Sequence, residues 1–194
     1  MTLAVRQSRQ LDLVLSDAEL LPGLLGMGYQ VPIPDFRGTR VRVLAEHDLA
    51  GQCLRAGAPE PVTDPLRLEL LTGSGEAPDW PRPVVLGAVI EALPDPVMAV
   101  QRASRWASYA ARVAVVPAVR LDDQTLLEAQ LRGVWVVTVD MSGRCAVAVE
   151  GECTAAQGSV RGLAHRLLDE LVWEALRGRM PPGNVRPAAT RLAT

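Results

Sequence analysis

The spacing of apolar residues divides the second half of the chain into alternating strands and helices. Continuous apolar runs, typical of strands covered on both faces, predict strands at 83–92, 113–116 and 134–139, and a last strand follows at 145–149. Between these runs, apolar residues recur at helical spacing after Asp95 and after Asp122, and either aspartate can cap the helix it precedes. A final helix over about 159–177 has the most regular apolar stripe in the sequence.

The first half of the chain predicts a β-hairpin with strands at 29–34 and 39–44 and a turn between them. In the second strand Val41 and Val43 alternate with arginines, which is the period of a half-buried strand. Because right-handed parallel crossovers are expected in the second half, we expect an α/β fold in which helices flank a central mixed β-sheet.

Three further elements of the first half are predicted from shorter patterns. Ser16 and Glu19 fit a capping box that begins a short helix. An apolar stripe predicts a helix over 46–56 with Gly57 at its end. Leucines alternate with charged residues over 66–71, which predicts a strand.

The length of 194 residues suits a single globular domain. Within that domain we expect an N-terminal helix and hairpin extension over 1–44 and an α/β core over 45–178. Residues 179–194 are rich in small residues and proline, which predicts a flexible tail.

The charge of the chain limits how it can meet nucleic acid. The net charge is −2, which excludes a global basic field and a sequence-indifferent coat on DNA, but is compatible with a local basic groove. All 20 basic residues are arginine. The chain therefore has no lysine amine that could serve as a general base. Arginine cannot take that role, because its guanidinium stays protonated.

The cysteines and the apolar runs bear on where the protein works. Cys53, Cys145 and Cys153 form no CxxC pair, which favours reduced thiols in a cytoplasmic protein. No apolar run reaches 18 residues and the first residues lack the apolar centre of a signal peptide, so we expect no membrane partner.

Acidic residues near predicted strand ends are candidates for metal chemistry. Pro78-Asp79 precedes the strand that ends at Glu91, and Glu46 begins the predicted helix over 46–56. Carboxylates that converge on Mg²⁺ or Mn²⁺ activate water and stabilise charge on a phosphate. The prediction is therefore a metal site at Glu46, Asp79 and Glu91, with Asp79 and Glu91 as the catalytic pair.

These residues resemble the motif of the PD-(D/E)xK restriction-endonuclease-like superfamily, over roughly residues 45–140. Pro78-Asp79 matches the "PD" of that motif, and Glu91 matches its second acid. Glu46 resembles the helix acid of many members. The resemblance implies a restriction-endonuclease-like core and a metal-dependent nuclease ancestry.

The helix after Glu91 resembles the helix motif of RecB-type members, through Gln101 and Trp106. Arg102 and Arg105 are the cations available on that helix. We expect Gln101, Arg102 and Arg105 to contact nucleic acid, and the simpler alternative is a solvated helix face.

The chain departs from the motif at Leu93, where the superfamily carries a lysine. Loss of such a charge-stabilising group costs several kcal/mol of transition-state stabilisation. The resemblance therefore implies a scaffold that has lost its catalysis. Simpler interpretations stay open, in which Asp79 is a turn residue and Glu91 a plain carboxylate at a strand end.

Three functions follow from these patterns. The first is an inactive nuclease-like protein that binds nucleic acid, DNA in particular, or assembles with partners in DNA repair, processing or defence. The second is an active metal-dependent nuclease, a phosphodiesterase, with an altered site. The third is a structural protein, most simply a homodimer, that binds neither metal nor nucleic acid.

Trp173 is the candidate contact for such an interface. It lies off the apolar stripe of the last helix, among charged residues, which predicts an exposed tryptophan. The alternative is a tryptophan folded over a neighbouring loop of the same chain.

Overall fold

A computed structural model describes residues 3–36, 38–55, 60–72, 81–153 and 162–177, with side chains from residue 6 onward. The predicted α/β fold is confirmed, because helices flank a six-stranded mixed β-sheet. The described helices are α1 (Leu3–Ser16), α2 (Leu20–Leu25), α3 (Leu49–Cys53), α4 (Pro65–Thr72), α5 (Pro96–Ser104), α6 (Asp123–Leu131) and α7 (Leu163–Arg177). The predicted tail over 179–194 lies outside the described residues.

The six strands lie side by side in the order in which they occur along the chain. They are β1 (Tyr29–Phe36), β2 (Thr39–His47), β3 (Val84–Ala92), β4 (Ala111–Pro117), β5 (Trp135–Val139) and β6 (Cys145–Val149). Strands β1, β2 and β3 are antiparallel, β3, β4 and β5 are parallel, and β6 returns antiparallel. The hairpin and the crossovers thus build one sheet, so residues 1–44 share their sheet with the core.

Aspartate caps begin the two crossover helices, as the sequence predicts. The carboxylate of Asp95 accepts a hydrogen bond from Met98 N at 3.1 Å, and that of Asp122 accepts one from Thr125 N at 2.8 Å. Each cap satisfies a backbone donor that the first helical turn leaves unpaired. The caps fix where α5 and α6 leave the carboxyl edge of the parallel strands.

The predicted capping box at Ser16 and Glu19 is wrong. Ser16 ends α1, and its hydroxyl donates to Asp12 O at 2.7 Å. The side chain that accepts from the start of α2 belongs to Asp17, whose Oδ1 lies 3.2 Å from Leu20 N. The neighbouring aspartate therefore takes the role expected of the serine.

The predicted helix over 46–56 is also wrong at its start. Glu46 and His47 are the last residues of β2, and α3 begins only after Asp48, whose side chain accepts from Gly51 N at 2.9 Å. Gly57, the expected end of this helix, lies outside the described residues.

The predicted strand over 66–71 is instead most of α4. Asp64 Oδ1 accepts from the backbone N–H groups of Leu66 and Arg67, which caps a helix. Only Leu68 is buried within that run, where it forms a small apolar cluster with residues of α7 and Val62. Six residues that alternate leucine with charge fit either element, and packing against α7 decided the outcome.

Helices cover both faces of the sheet. On one face α1 and α2 pack over a cluster that includes Leu44, Ile90, Val113 and Val137. On the other face α7 covers the antiparallel half of the sheet, while α5 and α6 cover the parallel half. Within the described parts of the chain no helix combines the length and the apolarity needed to cross a membrane.

Candidate nucleic-acid interface

Glu91 lies near the carboxyl end of β3, at the sheet edge where ligands of parallel sheets commonly bind. Its Oε1 accepts a hydrogen bond from Nε1 of Trp106 at 2.9 Å. Trp106 follows the C-terminal end of α5, so the turn after that helix holds the carboxylate in place. The side chain is half-buried.

A cleft of about 460 Å³ opens in front of this carboxylate. Its lining residues are Phe36, Thr39, Glu91, Arg102, Arg105, Trp106 and Tyr109. The volume falls within the range of small-molecule sites, roughly 300–1,000 Å³. The cleft therefore combines one acidic side chain, two cations and an aromatic wall.

A second cleft, of about 500 Å³, shares Glu91 and Arg102 with the first. It continues toward α1, where Arg40, Arg42 and Leu15 line it. Nη1 of Arg42 donates to Leu15 O at 2.8 Å, so this arginine is held by the end of α1. Both clefts border the carboxyl end of β3 and share Glu91 and Arg102, and we call the two together the Glu91 groove.

Among the described residues, Arg40, Arg102 and Arg105 are the arginines of the Glu91 groove whose guanidinium groups have neither a hydrogen-bond nor an ion-pair partner. All three are exposed, and no hydrogen bond or ion pair engages their guanidinium groups within the described part of the chain. Although Glu91 lines the same clefts, it forms no salt bridge with them. These guanidinium groups are thus available to an external anion.

Aromatic rings support the wall of the first cleft. The rings of Trp106 and Tyr109 meet edge to face at 5.3 Å, and Phe36 lies 6.0 Å from Trp106. Tyr109 in turn stacks on His165 of α7 at 4.1 Å. This packing limits the freedom of Trp106 and so helps to fix the Glu91 carboxylate.

The predicted metal site at Glu46 and Glu91 is wrong. Glu46 pairs across the sheet with Val85, which precedes Glu91 by six residues on the same strand. At about 3.3 Å per residue, this separation is roughly 20 Å. Glu46 instead accepts a hydrogen bond from Gly28 N at 3.2 Å, at the end of the sheet opposite to Glu91. Two carboxylates so far apart cannot ligate one ion.

The predicted catalytic pair at Asp79 and Glu91 stays a prediction, because Asp79 lies outside the described residues. Over the ranges that the structure describes, no three His, Cys, Asp or Glu residues group closely enough to hold a metal ion.

Leu93, which the sequence prediction places at the position of the motif lysine, is held by apolar packing. Its side chain is partly buried against a cluster that includes Val100 of α5 and Val116 of β4. Its backbone N–H donates to Val115 O at 3.2 Å. This side of the groove is therefore apolar at the place where the superfamily carries a cation.

The three predicted contacts on α5 have different positions. Arg102 lines both clefts and Arg105 lines the first. Gln101 is exposed on the same helix but lines neither cleft, and its carbonyl accepts from the hydroxyl of Ser104 at 2.8 Å. The structure thus brings together Glu91, Arg102 and Arg105 and leaves Gln101 beside them.

The prediction that Trp173 is exposed is wrong. Its exposed fraction is 4%, and the guanidinium carbon of Arg55 lies 4.6 Å from the centre of its ring. The structure instead shows the alternative, a tryptophan folded over another segment of the same chain.

The sequence patterns did not single out Arg40. Its signal was present, because the arginines of β2 alternate with buried valines, which places Arg40 and Arg42 on one face of the strand. The pairing of Arg42 with Ile90 places these arginines on the face of the sheet opposite to the Glu91 side chain, along the second cleft.

Comparisons with protein-family models, with curated proteins and with solved structures find no match to this chain. The resemblance to the PD-(D/E)xK superfamily therefore stays a prediction. The geometry itself shows a carboxylate held by a tryptophan at the carboxyl end of a parallel strand, beside arginines that have no partner among the residues the structure describes.

Proposed function

We propose that the protein binds nucleic acid in the Glu91 groove and does not cleave it, as a PD-(D/E)xK-like protein without catalysis. The observation that carries this proposal is that Arg102 and Arg105 line the first cleft with Glu91, and Arg40 lines the second, with no partner among the described residues. Guanidinium groups bind phosphate oxygens in a bidentate manner, so this groove suits a phosphodiester backbone.

The charge balance of the chain makes this binding local. With a net charge of −2, attraction to a polyanion comes from the groove and not from the whole surface. Each phosphate that an arginine neutralises releases condensed counterions. Affinity should therefore fall with salt concentration, with a slope set by the few phosphates that the groove contacts.

The surroundings of Glu91 argue against cleavage. Mg²⁺ in such sites is usually held by one or two carboxylates together with waters and substrate phosphates, and Glu91 is the one acid that lines the described clefts. Glu46 is paired at the far end of β3, and Leu93 packs where the superfamily has its lysine. Arg102 and Arg105 can stabilise charge, but neither can accept a proton at neutral pH.

Binding can be tested by fluorescence anisotropy with labelled single-stranded DNA, duplex DNA and RNA over a series of salt concentrations. The variant Arg102→Ala/Arg105→Ala should bind more weakly and reduce the salt dependence by about one to two phosphate contacts. Arg6→Ala/Arg9→Ala removes the same charge from exposed positions outside both clefts and serves as the matched control. An equal loss in both variants, or no binding by the parent chain, contradicts the proposal.

Cleavage is tested separately, by incubating the same substrates with Mg²⁺ and with Mn²⁺. We expect intact substrates. Cleavage that disappears in Glu91→Gln would reject the inactive interpretation in favour of the active nuclease.

A second candidate function, self-association, is favoured by the surface of α4. Leu66 and Leu70 lie one turn apart on α4 and are 73% and 85% exposed. Arg67 and Glu69 are exposed between them with opposite charges, so an antiparallel second copy of the helix would pair leucine with leucine and arginine with glutamate.

Light scattering over a concentration series tests this candidate. A dimer that Leu66→Gln/Leu70→Gln dissociates would support it. Leu127→Gln/Leu131→Gln, which changes two exposed leucines of α6, is the control. A monomer at every concentration rejects it.

A further inference from the structure

We propose that the first cleft holds one unpaired nucleotide whose exocyclic amino group donates to the carboxylate of Glu91. This inference rests on the proposed nucleic-acid function and adds a base preference to it. Cytosine carries such an amino group, whereas uracil has a carbonyl oxygen at the same position.

The argument begins with the orientation of the carboxylate. Trp106 donates to Oε1 of Glu91, and no other donor to that side chain is found within the described residues. Oε2 is therefore an acceptor without a partner, on a half-buried side chain that lines the cleft. A carboxylate in this state gains most from an N–H donor that the ligand brings.

The cations of the same cleft suit the other end of a nucleotide. A phosphate is repelled by Glu91 but attracted by Arg102 and Arg105, which lie unpaired on α5 and in the turn that follows it. A base that carries an N–H donor is instead attracted by the carboxylate of Glu91. The cleft thus offers an acceptor for the base and cations for the phosphate of one nucleotide unit.

The shape and lining of the cleft favour an unpaired base. Trp106 and Tyr109 line its wall, and aromatic side chains bind single-stranded bases by stacking. A base inside a duplex is stacked on its neighbours and cannot enter a concave site without leaving the helix.

The chemistry of the base edges then sets the preference. Carboxylates accept hydrogen bonds from the N4 amino group of cytosine. Uracil carries a carbonyl oxygen at the same position, and its ring N–H lies between two carbonyl oxygens that a carboxylate repels. A hydrogen bond to a charged group contributes about 1.5–3 kcal/mol, which corresponds to roughly tenfold or more in affinity.

The test compares oligo-deoxycytidine with oligo-deoxyuridine of equal length, by fluorescence anisotropy at neutral pH. The two probes share their backbone and differ at the pairing edge. We expect the parent chain to bind the cytidine probe roughly tenfold more tightly. Equal affinity, or tighter binding of the uridine probe, overturns the inference.

Glu91→Gln gives the sharper comparison, because it keeps the size of the side chain and replaces one oxygen with an amide. Trp106 Nε1 requires an acceptor, so the amide oxygen of the new glutamine faces the tryptophan and its NH₂ group faces the cleft. That NH₂ group donates to the carbonyl of uracil and opposes the amino group of cytosine. The preference should therefore reverse, and an unchanged preference overturns the inference.

The arginine variant separates this inference from the function on which it rests. Arg102→Ala/Arg105→Ala should weaken binding of both probes by the same factor and leave their ratio unchanged. If the parent chain binds neither probe nor any other nucleic acid, the proposed function fails. If it binds both probes equally and the arginine variant binds neither, the function stands and the base preference is rejected. Thermal unfolding of each variant verifies that the fold is retained.

Discussion

Glu170 of α7 and Arg55, which follows α3, form an ion pair in the interior of the protein. Nη1 of Arg55 lies 2.7 Å from Oε1 of Glu170, and the two side chains are 0% and 1% exposed. Oε2 of Glu170 also accepts from Val62 N at 2.8 Å. The carboxylate thus joins two segments of the first half of the chain to the last helix.

Glu170→Ala should lower the free energy of unfolding by about 3–5 kcal/mol, because it leaves the buried guanidinium of Arg55 without its counter-charge. The measurement is urea unfolding monitored by circular dichroism. Glu174→Ala on the same helix is the matched control, since its ion pair with Arg177 is 3.8 Å long and exposed. The control should lose no more than about 1 kcal/mol. Equal effects of the two variants would contradict a specific role for the buried pair.

Trp173→Ala should destabilise the chain by about 3–5 kcal/mol, because it removes a large side chain from the core under Arg55. Trp173→Phe keeps a ring under the guanidinium and should cost less. Urea unfolding measures both effects, and light scattering measures the oligomeric state. If Trp173→Phe altered the oligomeric state without loss of stability, that result would support an interface role for this residue.

The strands of the parallel half were predictable because their residues are buried on both faces, which produces continuous apolar runs such as 113–116. The ends of α5 and α6 were predictable because Asp95 and Asp122 act locally, within one helical turn. Such features depend on neighbours in the sequence, so the sequence alone contains them.

The predictions for Trp173 and Glu46 were wrong because they depend on contacts between segments that are distant in the sequence. Trp173 was expected to be exposed because it lies off the apolar stripe of its own helix. Its burial instead involves a contact with Arg55, which is distant in the sequence. Glu46 was expected near Glu91 from its place in the motif, but the antiparallel register of β2 with β3 places it at the other end of the strand. Register and distant ion pairs are tertiary properties that no local pattern encodes.

Low pH should lower the free energy of unfolding, because His47 becomes protonated. Burial lowers the pKa of its imidazole below 6.5, partly offset by a backbone hydrogen bond with Leu176. The amide nitrogen of Gln52 lies 3.0 Å from Nδ1, which as an acceptor stays unprotonated in the neutral ring. The folded state thus binds this proton less readily than the unfolded state does.

The contribution of His47 to the free energy of unfolding is fully present at neutral pH. It is lost as pH falls from about 6.5 through the lowered pKa of the folded state. His47→Gln should reduce the dependence of the unfolding free energy on pH over that window. Urea unfolding at a series of pH values measures it. If the parent chain and His47→Gln show the same pH dependence, the histidine does not contribute.

Leu93→Lys places a cation where the proposed resemblance has a lysine, and it tests whether the lack of that lysine alone would account for an inactive groove. We expect a loss of stability of about 1–3 kcal/mol, because Leu93 packs against the cluster under α5. We also expect no cleavage with Mg²⁺ or Mn²⁺, because Glu46 is paired with Val85 at the opposite end of β3 and cannot join Glu91 on an ion. Gel analysis of labelled DNA and RNA measures cleavage, and urea unfolding measures stability. Cleavage that appears in Leu93→Lys and disappears when Glu91→Gln or Asp79→Ala is added would show that these acids still assemble a metal site, and that one leucine keeps the protein inactive.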